Sequence, residues 1–236
     1  MPVDEEALSR SLRRLAKRND GVGDLTSSLN EITDACVELF HVNGSGIMLA
    51  DDQNISRYVA ATDGPGRVLE IVESETGQGP CTEAFVTNRP VPVTDVTAEP
   101  RWPDLAAAVA PHNVRAVLGV PVRLGAVPVG TLDVYRDRPH EWDATERTAL
   151  VRYGDLVETT LAAALSAHKA QELAGQLQYA LDYRVIIERG VGYLMARDQV
   201  DAVTAFNRLR RAARNTNTKI GEVATRLLET GELPTK

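Results

Sequence analysis

Residues 117–122 read VLGVPV and residues 129–135 read VGTLDVY. Both stretches are short, mostly apolar and bounded by turn residues, which is typical of β-strands. Three further stretches of this kind are Ile47–Ala50, Arg57–Ala61 and Pro90–Val93. We expect these five stretches to form one antiparallel sheet. Helices are predicted between them at Cys81–Thr87 and Leu105–His112, without the regular alternation of a parallel sheet, so an α+β domain is expected.

Two helices are predicted before the sheet. The first, Asp4–Arg18, carries five basic side chains, which are Arg10, Arg13, Arg14, Lys17 and Arg18. In the second, Ser28 and Glu31 form a capping-box pattern, and apolar residues at helical spacing continue to about His41. The first helix is expected to be a solvated arm or a dimer-packing segment, with contact to nucleic acid as the alternative.

Long helices are predicted after the sheet, because no proline occurs from Asp143 until Pro234. Asp143 is expected to cap the first of them, with Glu146 as its reciprocal partner. The apolar stripe changes phase near residues 169–172, where we expect a domain boundary. Leu161–Leu181 is then a connecting helix, which either pairs with its copy in a dimer or packs on its own domain.

The charge of the 236-residue chain is uneven along its length. Residues 1–180 hold 16 bases and 26 acids, a net charge of −10, whereas residues 181–236 hold 10 bases and 7 acids, a net charge of +3. Only the C-terminal segment therefore favours a polyanionic partner. No stretch approaches the roughly 20 apolar residues that span a bilayer, and we expect a cytoplasmic protein with no membrane contact.

The sequence lacks the usual patterns of catalytic and metal sites. It has no G-x-x-x-x-G-K-[ST] phosphate loop, no G-x-S-x-G motif and no dinucleotide-binding fingerprint. Its four histidines lie far apart, and its two cysteines cannot form a disulfide framework or a four-cysteine zinc site. No catalytic residue and no metal ligand is predicted.

Five motifs occur in order along the first part of the chain: Glu75–Ala84 (ETGQGPCTEA), Pro90–Asp95 (PVPVTD), Pro100–Pro103 (PRWP), Leu118–Pro121 (LGVP) and Gly130–Tyr135 (GTLDVY). Over about residues 22–168 this series resembles the GAF domain family, and most of all the GAF modules of actinobacterial regulators. The resemblance implies an α+β sensor domain, an antiparallel sheet with flanking helices, and a pocket for an unidentified small-molecule signal.

Four residues in these motifs are candidates for the implied pocket: Cys81, Asp95, Trp102 and Val120. Cys81 heads a predicted helix, whose amides would stabilise a thiolate, so a redox role stands beside simple packing. Trp102 is expected either to anchor its loop on the sheet or to cover the pocket. The signature of cyclic-nucleotide-binding GAF domains is not recognisable, so a cyclic nucleotide is not expected.

The C-terminal segments Ala180–Arg197 (ALDYRVIIERGVGYLMAR), Ala205–Arg214 (AFNRLRRAAR) and Glu222–Ala224 (EVA) resemble the ANTAR family over residues 175–230. The resemblance implies an all-α, three-helix RNA-binding module that recognises paired stem-loops in nascent transcripts and prevents terminator formation, usually as a dimer. The expected domains are a basic helix at 1–21, GAF at 22–168, and a connecting helix with ANTAR at 169–236.

The second helix of this module is predicted from an Asp201 cap to about Asn215. Its apolar residues cluster on one side, with Arg208, Arg211 and Asn215 opposite, while Arg210 and Arg214 lie near the boundary and are interpreted as structural. The predicted RNA-binding residues are Arg189, Arg208, Arg211, Asn215 and Lys219.

Two positions in the first ANTAR helix depart from the family pattern. Val191 stands where family members commonly carry lysine, which removes a positive charge. Gly190 stands where alanine is common, which is expected to weaken the helix by up to about 1 kcal/mol.

These features lead to the hypothesis of a signal-responsive antitermination regulator that performs no chemistry and acts as a dimer. The alternatives are a DNA-binding transcription factor with a GAF sensor, and a redox sensor or enzyme centred on Cys81.

Overall fold

The computed structural model describes residues 3–18, 25–50, 56–166 and 171–234. The chain forms two compact units, one built from Met1–Leu49 and Ser56–Gln171 and the other containing Glu172–Lys236. The predicted boundary between residues 168 and 169 falls at 167–170, outside the described residues.

One five-stranded sheet forms the centre of the first unit. Its strands are β1 (Gly44–Ala50), β2 (Ser56–Ala61), β3 (Val91–Val93), β4 (Ala116–Leu124) and β5 (Val127–Arg136). Their order in the sheet is β2-β1-β5-β4-β3, and the β1/β5, β5/β4 and β4/β3 pairs are antiparallel. All five predicted strands are confirmed.

Six helices of the described chain flank the sheet: α1 (Glu5–Arg18), α2 (Leu25–Phe40), α3 (Gly64–Thr76), α4 (Pro80–Thr87), α5 (Pro103–Val109) and α6 (Ala144–Ser166). The capping-box prediction at Ser28 was wrong, because α2 already includes Leu25 and Ser28 lies within the helix. Helix α3 was not predicted. Its start is set by Asp63, whose side chain accepts a hydrogen bond from the Gly66 amide, and Gly77 ends it at φ 69°.

The predicted cap of α6 is confirmed in both directions. The Asp143 carboxylate accepts hydrogen bonds from the amides of Thr145 (2.7 Å) and Glu146 (3.0 Å), and the Asp143 amide donates to the Glu146 carboxylate (2.9 Å). Glu146 also accepts a hydrogen bond from Arg136 at the end of β5. The cap therefore fixes the start of α6 next to the end of β5, the central strand of the sheet.

The two faces of the sheet carry different helices. Gly119 on β4 lies against the backbone of Pro80 and Cys81 at the start of α4, whereas Gly154 on α6 lies against Val120. Because successive residues of a strand point to opposite faces, α4 and α6 cover opposite sides. On β5, Asp133 pairs with Gly119 and shares its face. The α4 face is therefore the one that carries the polar residues of β5.

Three helices form the second unit: α7 (Gln171–Asp198), α8 (Ala202–Thr216) and α9 (Ile220–Thr230). Their buried core residues are Ile187, Leu194, Phe206, Leu209, Val223 and Leu227. The Asp201 cap is confirmed, since its carboxylate accepts a hydrogen bond from the Thr204 amide at 2.7 Å. Of the predicted connecting helix, residues 167–170 lie outside the described part of the chain. No described helix is long and apolar enough to span a membrane.

Candidate functional site

Three acidic side chains are buried between α3 and the sheet. Glu70 and Glu73 lie one turn apart on α3, and Asp133 lies on β5. Their exposed fractions are 0%, 1% and 0%. Buried carboxylates are rare unless they are paired, because burial removes the hydration that stabilises their charge. We refer to Glu70, Glu73 and Asp133 as the carboxylate cluster.

Glu73 has a clear structural partner. Its carboxylate accepts hydrogen bonds from the backbone amides of Cys81 (3.2 Å) and Thr82 (2.8 Å), in the first turn of α4. Burial raises the pKa of Glu73 to about 7, and the two amides limit that rise because they stabilise the anion. Glu73 therefore serves as the cap of a neighbouring helix.

Glu70 and Asp133 lie close to each other over a glycine. Gly46 on β1 pairs with Asp133, and a Cβ atom at Gly46 would overlap the Glu70 carboxylate and lie 3.2 Å from Asp133 Oδ2. Burial raises the pKa of both carboxyls well above the ordinary range. The negative charges of Glu73 and Asp63 raise both pKa values further, and Asp133 also acts on Glu70.

Asp63 and Tyr135 lie next to the cluster, where α3 begins. The Tyr135 hydroxyl donates a hydrogen bond to the Asp63 carboxylate. Burial and this bond raise the pKa of Tyr135, so the phenol stays protonated. Asp63 is partly exposed, whereas Glu70 is fully buried. The carboxylates therefore extend along α3 from Asp63, which is partly exposed, to Glu70, which is fully buried.

The predicted pocket residue Cys81 lies beside the carboxylate cluster. It is fully buried, and burial raises the pKa of its thiol well above the ordinary value, with the charges of Glu73 and Asp133 adding to the effect. Its own amide is occupied by Glu73. The thiolate expected from its position at the head of a helix is therefore opposed by its surroundings.

Trp102, another predicted pocket residue, is packed in the core. It is 4% exposed and clusters with Leu69 of α3 and Tyr135 of β5. The guanidinium carbon of Arg101 lies 4.3 Å from the centre of its ring. This burial is typical of a ring that anchors its loop on the core.

Asp95 and Val120 have different surroundings from Cys81 and Trp102. The Asp95 carboxylate accepts hydrogen bonds from Arg115, one of them 2.9 Å long, and from Thr97, and these bonds lower its pKa to about 2. Val120 points to the α6 face. Cys81 and Trp102 therefore share the face of α3, α4 and α5, but the structure does not bring the four predicted pocket residues together.

Sequence reasoning missed the carboxylate cluster, although signals were present. Asp133 is an acidic residue in an otherwise apolar strand, and it stands inside a quoted motif. Glu70 and Glu73 have the spacing of one helix face, next to the apolar Leu69. These signals required α3 to be recognised first.

The second unit places the predicted RNA-binding residues of α8 as follows. Arg211 and Asn215 are exposed, and Arg208 is partly exposed and forms an ion pair with Asp198 at the end of α7. Of the two arginines predicted near the apolar boundary, Arg210 is 3% exposed, which is deeper than a boundary position, while Arg214 is exposed. Arg208, Arg211 and Asn215 thus form one polar face of α8.

The other predicted residues flank this helix. Arg189 is exposed on α7, and Lys219 occupies the N-cap position of α9, just after α8. Val191 is 9% exposed, so the position that commonly carries lysine in the family is packed inward here. A Cβ atom at Gly190 would lie 3.1 Å from the Ala224 Cβ atom, which explains the glycine by close helix packing.

Comparison with family models identifies both parts of the chain. The model of the GAF domain matches residues 24–161. The chain belongs to the GAF family. The model of the ANTAR domain matches residues 175–228 of this GAF protein, so an ANTAR domain follows the GAF domain. This order of domains is that of a sensor-regulated antitermination regulator in general.

Solved GAF-type structures share the fold of the first unit. The GAF domain of an Acinetobacter phosphoenolpyruvate-protein phosphotransferase is 18% identical with a TM-score of 0.55, and the match covers 69% of this chain and 97% of that one. The free methionine-R-sulfoxide reductase of Neisseria meningitidis in complex with its substrate is 19% identical with a TM-score of 0.57, covering 71% and 96%. No curated protein matches the chain.

Two grooves border α1 of the GAF protein, with volumes of about 380 and 200 Å³. Neither includes Cys81, Asp95, Trp102 or Val120 among its lining residues. Within the described ranges, no group of three or more His, Cys, Asp or Glu side chains is arranged to hold a metal ion.

Proposed function

We propose that this protein is a signal-responsive transcription antitermination regulator, whose ANTAR domain binds stem-loop RNA in nascent transcripts under the control of its GAF domain. The observation that supports this most is the division of α8 into two faces. Phe206 and Leu209 are buried, while Arg211 and Asn215 point to solvent. A guanidinium binds phosphate in a bidentate manner, and an amide hydrogen-bonds to base edges.

Electrostatics direct RNA to this part of the chain. Residues 181–236 carry a net charge of +3, whereas residues 1–180 carry −10. Arg189 and Arg211 are exposed cations, while Arg208 and Arg197 share the carboxylate of Asp198. Arg189 and Arg211 therefore offer exposed positive charge for phosphates, and affinity should fall steeply with salt.

The regulator acts only by binding and catalyses no reaction. It acts as a homodimer. Two ANTAR domains held together engage two paired stem-loops, which raises affinity through effective concentration. A signal in the GAF domain controls RNA only if it binds one arrangement of the dimer more tightly than the other, since a ligand indifferent to both shifts nothing. No covalent step is part of this function.

The experiment compares a paired stem-loop RNA with duplex DNA of equal length, across a series of salt concentrations. The full chain should prefer the RNA, and the R189Q/R211Q double variant should lose about tenfold or more in affinity, with a salt slope shallower by about one to two. The matched control is R10Q/R14Q, which removes two exposed arginines from α1. Equal loss in both double variants would contradict the assignment of α7 and α8, and preference for duplex DNA would support the transcription factor instead.

The Cys81 alternative is tested in the same assay. C81S keeps the shape of the side chain, replaces the thiol with a smaller and unreactive hydroxyl, and should leave RNA affinity unchanged. The high pKa of the thiol supports this expectation, because the thiol form is unreactive. A change in RNA affinity on mild oxidation of the wild type that is absent in C81S would favour the redox sensor.

A further inference from the structure

Five buried oxygen atoms in and beside the carboxylate cluster have no hydrogen-bond partner that meets the usual geometry among the described residues. They are both carboxylate oxygens of Glu70, both carboxylate oxygens of Asp133, and the hydroxyl oxygen of Thr131. All three residues are fully buried. The Cys81 thiol, a weak donor, lies beside Asp133 and acts to lower the pKa of that carboxyl. Buried polar groups in proteins are nearly always satisfied, so this concentration of unsatisfied acceptors calls for an explanation.

Thr131 is independent of the acidic residues and points into the same space. It lies two residues before Asp133 on β5, so both side chains project from the same face of the sheet. Opposite Asp133 on the two neighbouring strands are Gly46 and Gly119, which carry no side chain. The Glu70 carboxylate lies in the room that Gly46 leaves, and the backbone of Pro80 and Cys81 lies over Gly119, on the sheet face that also carries Asp133 and Thr131.

The charges acting on this space are all of one sign. Glu70 experiences the negative charges of Asp133, Glu73 and Asp63, and Asp133 experiences those of Glu73 and Asp63. The amides that Glu73 binds satisfy Glu73 alone. The group that complements this space is therefore a cation that donates several hydrogen bonds.

We propose that Glu70, Asp133 and Thr131 form the binding site of a small organic cation with a primary ammonium group. This inference rests on the proposed function, in which the GAF domain takes a small-molecule signal, and it names the chemical class of that signal. An ammonium group supplies three donors and one positive charge, which suits two carboxylates and a hydroxyl. The same carboxylates are not arranged as a metal site. Asp63, partly exposed at the start of α3, adds a further negative charge that acts on Glu70 and Asp133.

Binding exchanges a proton for the ligand. In the free protein the buried carboxyls hold protons, because nothing else neutralises them. When the ammonium group enters, one of the two carboxyls loses its proton, so about one proton leaves per bound cation, and the resulting carboxylate accepts the N–H groups together with oxygens of the neutral carboxyl. Glu70 shares α3 with Glu73, which caps α4. A ligand held by Glu70 and Asp133 therefore acts on the same helix whose next turn supports the start of α4.

The experiment uses the full chain and two probes, methylammonium and n-butylammonium chloride, at about pH 8. Tetramethylammonium chloride at equal ionic strength is the control, because it has the charge and no N–H group. Thermal unfolding should shift upward with the two probes and not with the control. Calorimetry in two buffers of different ionisation enthalpy should show release of about one proton per bound probe.

The variants are D133N and E70Q, with E75Q as the matched control on the same helix. D133N and E70Q should unfold at a higher temperature than the wild type without any amine, since each removes a buried acid, and both should lose the response to methylammonium. E75Q should keep that response, because Glu75 is exposed. The higher unfolding temperature of D133N and E70Q would show that these variants are folded, so that a lost response to methylammonium is not caused by unfolding.

Three results would overturn the proposal: an equal response to tetramethylammonium, a wild-type response in D133N and E70Q, or stabilisation by magnesium or calcium chloride and not by the amines. RNA affinity measured on the same preparation separates the two proposals. RNA binding without an amine response rejects the ammonium site alone, and an amine response without RNA binding rejects the antitermination function alone. Amine binding that leaves RNA affinity unchanged rejects the role of the amine as the signal.

Discussion

The Glu73 carboxylate on α3 accepts a 2.8 Å hydrogen bond from the backbone amide of Thr82 on α4. An acidic residue of one helix thus satisfies an amide that the first turn of another helix leaves without an intrahelical partner. The bond fixes the angle between two helices that cover the same face of the sheet. It also holds a carboxylate where water cannot reach it, which gives the GAF domain a dependence on pH.

We expect the GAF domain to lose stability as the pH rises from about 5 to about 8. Folding raises the pKa of Glu73 from 4.5 to about 7, so the folded state binds this proton more tightly than the unfolded state. The resulting stabilisation is complete below about pH 4.5 and is lost as the pH rises through 7, with an upper bound of about 3 kcal/mol. Glu70 and Asp133 act in the same direction.

Urea unfolding followed by tryptophan fluorescence checks this, because Trp102 and Trp142 both lie in the first unit. E73Q should flatten the pH dependence and should lower stability at about pH 7 by about 1 kcal/mol, since the glutamine amide offers only one acceptor oxygen. E75Q serves as the control with an unchanged slope. Stability that increases between pH 5 and 8 would contradict the expectation.

Two glycines of α7 should respond in opposite ways to alanine. A Cβ atom at Gly192 would meet nothing within 4 Å, so G192A should stabilise the second unit by up to about 1 kcal/mol through helix propensity. At Gly190 the same atom would lie 3.1 Å from the Ala224 Cβ atom and 3.3 Å from Leu209 Cδ1. Crowding there should cancel the gain and make G190A the less stable variant. Thermal unfolding by circular dichroism compares them, and equal stability would refute the close packing.

The Asp201 cap should account for about 1 kcal/mol of the stability of α8. D201A removes the acceptor of the 2.7 Å hydrogen bond from the Thr204 amide, whereas D201N keeps an acceptor at the same place. Hydrogen exchange of residues 202–216 should therefore accelerate in D201A and stay close to wild type in D201N. Unchanged exchange in D201A would show that packing alone holds the start of the helix.

Asp198 should restrain RNA binding. Its carboxylate pairs with both Arg197 and Arg208, which reduces the positive charge available beside the polar face of α8. D198N should raise the affinity for stem-loop RNA several-fold at low salt, because it releases Arg208. D201N raises the net charge by the same amount without releasing Arg208 and is the matched control. Equal gains in both variants would remove Arg208 from the set of RNA contacts.

The elements that sequence analysis located correctly are those with a local cause. The five strands follow from short apolar stretches between turn residues, and the caps at Asp143 and Asp201 follow from residues three positions apart. The buried and exposed faces of α8 follow from the angle between successive residues of a helix. In each of these cases the interacting groups lie within about one helical turn or one strand of each other. The local sequence pattern is therefore enough to predict the element.

Tertiary packing decided the rest. Val120 and Cys81 belong to the same series of motifs, yet Val120 points to the opposite face of the sheet. Arg208 is partly neutralised by Asp198 of another helix. Glu70 and Asp133 lie far apart along the chain and meet only because α3 crosses β1 at Gly46. The sequence alone determined which segments become strands and helices, because that choice depends on neighbouring residues. Only the tertiary structure determined which acidic groups share one buried space, because that proximity depends on how whole elements pack and on the room that glycines leave between them.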